Sequence, residues 1–264
     1  MSARVTLFIV LLVATIGCGG PGDSDRDVAG VGVAPPPTPS GPPTCVAGDW
    51  DGNGSDTAGR FLAGSWVLGE VEATYGTIVE LSFGQAGDRP LAGDWNGDGI
   101  DTVGVFRSGG FLLRDSNASS GTDTLVAFGL PDDVPVVGDW DGDGVDTIGV
   151  YRSGGWYLRS SNTEGEADLA LAFGLAGDVP LVGDWNGDGV DTVGVFRNGR
   201  VFLRNSNTTG EAELEFSFGL GDDQPLTGDW DGNGSDTIAV VRGRNLLARL
   251  SNSDGEADHI VRWW

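Results

Sequence analysis

The sequence of 264 residues is short of several residue types, and each shortage argues against a class of protein. It has no lysine, and its 15 cationic side chains are all arginine, against 39 acidic residues and a formal net charge of −24. Because nucleic acids and anionic membrane surfaces are bound through basic patches, this balance argues against both as partners. The chain has two cysteines and a single histidine, His259. One histidine leaves little scope for histidine-based catalysis or a His-ligated metal. Asp and Asn oxygens are the main coordinating groups that remain.

Long apolar runs are missing except at the N-terminus. After Arg4, an apolar run extends from Val5 to Ile16. It is too short for a membrane-spanning helix and has the length of the hydrophobic region of a signal peptide. The sequence therefore predicts a signal peptide over residues 1–17.

The tetrapeptide TIGC at residues 15–18 resembles a bacterial lipobox, in which the cysteine becomes the lipidated first residue of the mature protein. The match departs from the usual pattern at Thr15, where leucine is preferred. The resemblance implies a lipoprotein-type signal peptide and a lipid anchor at Cys18. An ordinary cleaved signal peptide with a chance cysteine is the alternative.

Residues 18–43 follow as the lipidated cysteine and a linker rich in Pro and Gly. Seven of the twelve Pro residues lie in this stretch, a composition typical of an extended spacer without a core. We therefore expect an exported lipoprotein, anchored in the membrane through Cys18 at the bacterial cell surface or outer membrane. If Cys18 is acylated, Cys45 has no intramolecular disulfide partner.

The remainder of the chain, residues 44–264, consists of repeats. The tripeptide GDW begins at residues 48, 93, 138, 183 and 228, so that the period is 45 residues without insertions. A Phe-Gly pair recurs with the same spacing. The copies extend approximately over residues 44–88, 89–133, 134–178, 179–223 and 224–264.

Each copy has only β-type signals. In the third copy, apolar segments at residues 134–137, 147–152, 156–160 and 169–173 are separated by turn residues, and no window has helical periodicity. Four short strands in 45 residues match the blade of a β-propeller. The prediction is an all-β fold, a propeller of five four-stranded blades. An open β-repeat array is the alternative, because the first copy diverges as a terminal unit does.

The loop after each GDW glycine carries the candidate chemistry. Its ten residues read DWDGDGVDTI in the third copy, with oxygen-bearing side chains at positions 1, 3, 5 and 8 and glycine at positions 4 and 6. Such a loop suits Ca²⁺, which takes six to eight oxygen ligands. Turns closed by Asx side chains are the alternative. The candidate metal ligands are Asp49, Asp51, Asn53, Asp56, Asp94, Asn96, Asp98, Asp101, Asp139, Asp141, Asp143, Asp146, Asp184, Asn186, Asp188, Asp191, Asp229, Asp231, Asn233 and Asp236.

Copies such as VPVVGDWDGDGVDTIGVYRSGGWYL resemble the bacterial FG-GAP/VCBS-type repeats, which are related to the propeller blades of integrin α subunits. The resemblance covers residues 45–264 and implies Ca²⁺ in the loops, held at positions 1, 3 and 5, and extracellular adhesion or binding. The family usually places its next acid at position 9, where this chain has threonine. The acid at position 8 is expected to face away from the metal and to pair with an arginine of the repeat.

These features predict a non-catalytic, calcium-binding, surface-anchored protein that acts as an adhesion or ligand-binding module for a glycan or a protein. A structural cell-surface assembly protein, with calcium as a clamp on the fold, is the alternative. A propeller glycoside hydrolase is least favoured because its two carboxylates need separated pKa values, whereas nearly every acid here recurs by repeat symmetry. Trp66 and Trp156 either stack on sugars or pack within the blades, and the tryptophans at loop position 2 are expected between blades.

Overall fold

The structure is a computed structural model that describes residues 43–69 and 78–262. The predicted signal peptide, Cys18 and the linker lie outside these residues. The described residues belong to a compact unit that spans Pro39–Trp264. In this part of the chain, no helix has the length and apolarity of a membrane span.

Twenty β-strands account for the regular structure of the described residues. Blades 1 to 3 contain β1 (Thr44–Gly48), β2 (Thr57–Leu62), β3 (Ser65–Leu68), β4 (Val79–Ser82), β5 (Arg89–Gly93), β6 (Thr102–Arg107), β7 (Gly110–Arg114), β8 (Asp123–Ala127), β9 (Val134–Gly138), β10 (Thr147–Arg152), β11 (Gly155–Leu158) and β12 (Leu169–Ala172). Blades 4 and 5 contain β13 (Val179–Gly183), β14 (Thr192–Arg197), β15 (Arg200–Leu203), β16 (Leu214–Ser217), β17 (Gln224–Gly228), β18 (Thr237–Arg242), β19 (Asn245–Ala248) and β20 (His259–Arg262).

Each blade is an antiparallel sheet whose four strands pair in chain order. In blade 3, the hairpin between β10 and β11 turns through Ser153 and Gly154, whose φ angles are 51° and 91°. Positive φ at both central residues is the signature of a type I′ turn, which matches the twist of the flanking strands. The predicted four-stranded β-unit is therefore confirmed.

The first strand of each blade lies at the centre of the ring, and these strands contact one another in sequence. The contacts run from β1 through β5, β9 and β13 to β17, and β17 in turn contacts β1. The ring is closed, which confirms the five-bladed propeller. The open array is therefore wrong.

The hydrophobic core is divided among the blade interfaces. Each of five clusters contains side chains from two neighbouring blades, as where Val193 and Val195 of blade 4 pack with Trp156 of blade 3. The tryptophans at loop position 2 all contribute to these clusters, as expected: Trp50, Trp95, Trp140, Trp185 and Trp230. A blade thus buries its faces only when its neighbours are present, which explains why the ring folds as a unit.

The closing interface between blades 5 and 1 is built from smaller side chains than the others. Its cluster contains Cys45 and Ala58 of blade 1 together with Ala239 and Ala248 of blade 5. Ala58 occupies the repeat position that holds Val103 in blade 2 and isoleucine or valine in the later blades. The divergence of the first copy at Ala58 therefore belongs to the closing interface.

The meander gives the ring two chemically different faces. The loops between first and second strands, which contain the candidate metal ligands, and the loops between third and fourth strands lie on one face, here called the loop face. The two-residue hairpins and the turns that lead to the next blade lie on the other, here called the turn face. Hairpins and turns of the turn face are hydrogen-bonded to each other. In blade 3, the N–H of Phe173, in the turn to the next blade, donates to the carbonyl of Gly154, in the hairpin, at 2.9 Å.

The GDW glycines are required by close approach between blades. A Cβ atom on Gly138 would lie 2.8 Å from Oδ2 of Asp191 and 2.8 Å from Cγ1 of Val182, both in blade 4. The corresponding glycines of the other copies meet the next blade's aspartate in the same way. The recurrence of this glycine therefore has a packing cause.

We expect the substitution Gly138→Ala to destabilise the protein by about 1–3 kcal/mol, because the added methyl group overpacks the interface. Gly110→Ala is the matched control, since its Cβ would meet the Arg107 carbonyl oxygen at an ordinary 3.5 Å. Equilibrium denaturant unfolding measures both, and the control should be neutral or slightly stabilising. Equal effects of the two substitutions would contradict the packing explanation.

Candidate metal centres

Each loop folds around the carboxylate at its first position. In copy three, Oδ1 of Asp139 accepts hydrogen bonds from the N–H groups of Gly142 at 2.7 Å and Asp143 at 3.2 Å, and Oδ2 accepts one from Gly144 at 2.8 Å. Gly142 and Gly144 have φ angles of 75° and 83°, which only glycine adopts readily. The Asx turn considered as an alternative to metal binding is thus present at position 1.

Copy three brings three carboxylates together on this frame. Asp139, Asp141 and Asp143 each offer an oxygen, and these three oxygens lie within 4.8 Å of one another. Asp141 and Asp143 are exposed, and Asp139 is half-buried. A turn needs one such side chain, whereas three close carboxylates repel one another unless a cation offsets their charge. The residues at positions 1, 3 and 5 of this copy therefore fit a metal ion.

Copies two and four are internally bonded instead. Nδ2 of Asn96 donates to Oδ2 of Asp98 at 3.0 Å, and Asn186 donates to Asp188 at the same distance. The amide at position 3 thus reduces the repulsion that the third carboxylate causes in copy three. A cation at these loops would compete with the amide hydrogen for the position-5 carboxylate.

Copies one and five have asparagine at position 5. Oδ1 of Asn53 accepts the N–H of Ser55 at 2.8 Å, and Oδ1 of Asn233 accepts that of Ser235 at 2.9 Å. The position-3 residues of these loops, Asp51 and Asp231, are exposed. The position-1 carboxylates accept hydrogen bonds from the N–H groups of loop positions 4, 5 and 6, as in copy three. The loop frame is therefore common to all five copies.

The carboxylates at position 8 join neighbouring blades. Oδ2 of Asp101 in blade 2 accepts the N–H of Asp49 in blade 1 at 2.8 Å, while the N–H of Asp101 donates to the Asp49 carbonyl at 2.9 Å. This reciprocal pair between position 1 of one blade and position 8 of the next recurs at every interface. It also closes the ring, where Asp229 donates to Oδ2 of Asp56 at 2.7 Å.

The predicted pairing of the position-8 acids with arginine is therefore wrong. Their partners are backbone N–H groups of the preceding blade, a contact that no pattern within one repeat reveals. In copy three, Asp146 accepts from Asp94 of blade 2, and the three-carboxylate group at this loop is formed without it. The structure thus separates positions 1, 3 and 5 from position 8.

Burial and mutual proximity raise the pKa values of these five carboxyl groups. Burial, together with repulsion from Asp49, raises the pKa of Asp101 to about 7, and that of Asp236 is about 7 for similar reasons. The pKa values of Asp56, Asp146 and Asp191 are also raised, by burial and by neighbouring position-8 carboxylates. Hydrogen bonds from the backbone oppose the shift in each case.

The repeated arginines pair with acids other than those of the loops. On the turn face, Nε of Arg152 donates to Oδ1 of Asp133 at 2.6 Å and Nη2 donates to Oδ2 at 2.6 Å. Equivalent pairs join Arg107, Arg197 and Arg242 to Asp88, Asp178 and Asp223. A second set on the loop face includes Arg159 and Asp168, 2.7 Å apart. Arg159 thus pairs within its own blade, whereas Arg152 pairs with an acid of the turn that leads into its blade. The sequence reasoning missed these acids, although they recur with the repeat period.

Trp66 and Trp156 belong to the core. Both are fully buried, and their Nε1–H groups donate to the carbonyls of Phe83 and Phe173 at 2.8 and 2.9 Å. The packing role considered for them is correct, and the sugar-stacking role is wrong. Cys45 is a free, buried cysteine in the closing cluster, and burial raises the pKa of its thiol.

Comparison with known proteins gives no matching family model and no matching curated protein. Among solved structures, the chain is similar to an Agrocybe aegerita lectin solved to explain specific recognition of non-reducing terminal N-acetylglucosamine. The TM-score is 0.47 and the identity 16%, over 83% of this chain and 79% of that chain. A structure of BBS1N in complex with ARL6DN has a TM-score of 0.41 and 11% identity, over 66% of this chain and 56% of the other.

The raised pKa of Asp101 predicts an unusual pH dependence. Between its ordinary value of 3.8 and the folded value of about 7, the folded state holds a proton that the unfolded chain has released. Stability is therefore lost as the pH rises through this window. We expect the thermal midpoint of the cation-free protein to fall between about pH 4 and about pH 7.

Substitution at the same residue separates charge from hydrogen bonding. Asp101→Asn keeps an acceptor for the Asp49 N–H and should make the fall with pH smaller. Asp101→Ala removes that acceptor and should lower the midpoint at every pH. A thermal midpoint of wild-type protein that rises across the window would refute the shift.

Proposed function

We propose that this chain is an exported, calcium-binding propeller, anchored by a lipid and acting as a non-catalytic binding module. The observation that carries the calcium assignment is the three-carboxylate group of Asp139, Asp141 and Asp143 on a loop repeated in every blade. Support for the anchor comes from the sequence before residue 44, where the lipobox-like TIGC precedes the Pro-rich linker.

The donor set favours Ca²⁺ over Mg²⁺. Carboxylate, amide and carbonyl oxygens on a glycine-rich loop form a flexible set of the kind that Ca²⁺ accepts, while Mg²⁺ demands near-ideal octahedral geometry and keeps several waters. Asp139 would hold the ion together with Asp141 and Asp143, because its carboxylate has about four lone-pair sites and the three backbone N–H groups occupy three of them. The ion would neutralise the repulsion among these groups.

The placement of the loops supports kinship with FG-GAP/VCBS-type repeats. In every blade the DxDGDG-like segment connects the first and second strands and lies on the loop face. That kinship is part of the proposal and implies extracellular adhesion or binding. The departure at position 8 has a structural account, because that acid bonds the adjacent blade.

A non-catalytic role is favoured by the equivalence of the acids. The position-8 carboxylates hold equivalent partners at all five interfaces, and the buried acids of the turn face are each paired with an arginine. Catalysis by two carboxylates needs different environments that separate an acid from a base. A binding module uses equivalent sites directly, because several weak sites add up to strong attachment.

A structural role for calcium is the second candidate. Asp139 belongs to the three-carboxylate group, and its N–H is bonded to Asp191 of blade 4 at 2.8 Å. An ion at this loop would therefore stabilise an interface between blades as well as the loop. Both candidates predict calcium-dependent stability, and only the binding module predicts a ligand.

Calcium should raise the thermal unfolding midpoint, relative to chelator at matched ionic strength and to Mg²⁺, because it binds the folded state. Asp141→Asn gives copy three the loop sequence of copy four, DWNGDGV, so that folding should be retained. We expect this variant to lose most of the calcium-dependent increase. The reciprocal variant Asn186→Asp gives copy four a third carboxylate and should add one calcium site by isothermal titration calorimetry.

The reciprocal variant Asn186→Asp is the control for Asp141→Asn, because it adds to copy four the carboxylate that Asp141→Asn removes from copy three. A calcium-dependent increase that is unchanged in Asp141→Asn would show that copy three does not hold the ion. Absence of any increase in the wild-type protein would show that the loops are turns only.

The anchor is tested at Cys18. In bacterial cells, Cys18→Ser should move the protein from the membrane fraction to the soluble fraction and abolish incorporation of a labelled fatty acid. Cys45→Ser is the control, because Cys45 is buried in the propeller core. Retention of the label in Cys18→Ser would contradict lipidation at this residue.

A further inference from the structure

Two grooves run between blades at equivalent positions of the repeat. One lies between blades 2 and 3 and has a volume of about 440 Å³, and the other lies between blades 3 and 4 with about 430 Å³. Tyr157 and Arg152 line the first groove, and Phe202 and Arg197, each 45 residues further on, line the second. Both volumes fall within the usual range of ligand-binding clefts.

The aromatic ring of each groove follows from strand alternation. Trp156 on β11 points into the core, so its neighbour Tyr157 points to the opposite side of the sheet and packs against the blade 2 cluster. Tyr157 is half-buried, and Phe202 is half-buried at the same position of β15. The corresponding residues of other blades are Val67, Leu112 and Leu247, so aromatic grooves occur only beside blade 3 among the described positions.

An arginine guanidinium lies next to the aromatic ring of each groove. The guanidinium of Arg152 lies 5.0 Å from the centroid of Tyr157, and that of Arg197 lies 4.9 Å from the centroid of Phe202. Nε and Nη2 of Arg152 are bonded to Asp133, and Nη1 has no hydrogen-bond partner within the described residues. A partly exposed guanidinium, fixed by its aspartate, therefore lies over each ring.

Each groove is also lined by an exposed leucine side chain. Leu130 is 53% exposed at the first and Leu175 is 58% exposed at the second. An aromatic ring and an exposed leucine beside fixed polar groups suit a ligand with one apolar face and several hydroxyl groups.

We propose that these two grooves bind a neutral carbohydrate, an inference that rests on the proposed function as a binding module and names its ligand class. Glu166 lines one groove and Glu211 the other, and each arginine is already neutralised by its aspartate. With the net charge of −24, this arrangement disfavours acidic sugars. Neutral pyranose rings meet no such penalty.

An added peptide strand is disfavoured at the second groove. A peptide that extends a sheet needs free N–H groups at the strand edge. On β12, the N–H of Ala172 already donates to Oγ1 of Thr209 in blade 4 at 3.0 Å. One N–H group of the edge strand at this groove is thus already bonded within the protein.

The test uses the full-length protein, purified in mild detergent with Ca²⁺ present, on an array of immobilised neutral, sialylated and uronate-containing oligosaccharides. We expect binding to neutral members. The double variant Tyr157→Leu with Phe202→Leu should reduce this binding about 100-fold, because both sites of a bivalent contact are lost. Leucine is the residue that the chain itself has at positions 112 and 247, so the variant should fold.

The matched control replaces the equivalent leucines, Leu112→Val with Leu247→Val, since valine stands at position 67 of the first copy. This variant should bind the array as the wild-type protein does. Unchanged binding in the aromatic double variant, or selection of acidic sugars, would overturn the proposal. Calcium-dependent stability without binding to any neutral sugar would overturn the groove assignment and leave the calcium proposal standing, whereas absence of both would refute the two together.

Discussion

The reciprocal hydrogen-bond pair between neighbouring blades is the constraint on which the rest of the structure depends. It joins position 1 of one blade to position 8 of the next and recurs at all five interfaces, including the closing one between Asp229 and Asp56. The pair removes a carboxyl group from water, which costs free energy. The hydrogen bond from the backbone N–H to the carboxyl oxygen offsets this cost. Because the same position-1 residue begins the candidate metal loop, blade assembly and loop shape are fixed together.

Most of the fold could be predicted from the sequence because it depends on local pattern and period. The type I′ turn at Ser153 and Gly154 and the four strands of each copy are short-range features. The closed ring was predicted with an open array as the alternative, because closure depends on contacts between the first and last copies, such as Cys45 and Ala58 with Leu226. The first copy resembled a terminal unit because Leu62 and Gly69 stand where the other copies have arginine.

The candidate site was predicted in part. Asp139, Asp141 and Asp143 meet as expected, because a tight glycine loop brings alternate side chains to one place. The position-8 acids lie outside this group, as expected from strand alternation, but the arginine partners predicted for them were wrong. The actual partner belongs to another blade, as Asp94 does for Asp146, and is invisible within a single repeat.

A comparison of the five copies separates the residues that form the ring from the residues that differ between blades. The GDW glycine and the aspartates at positions 1 and 8 are the same in all five copies, and they form the ring. Loop positions 3 and 5 and the groove position of Tyr157 are among the positions that vary. Blade 3 carries the loop with three carboxylates and borders both aromatic grooves. Ring geometry demands neither feature, and the proposed calcium site and the proposed sugar grooves therefore both involve blade 3.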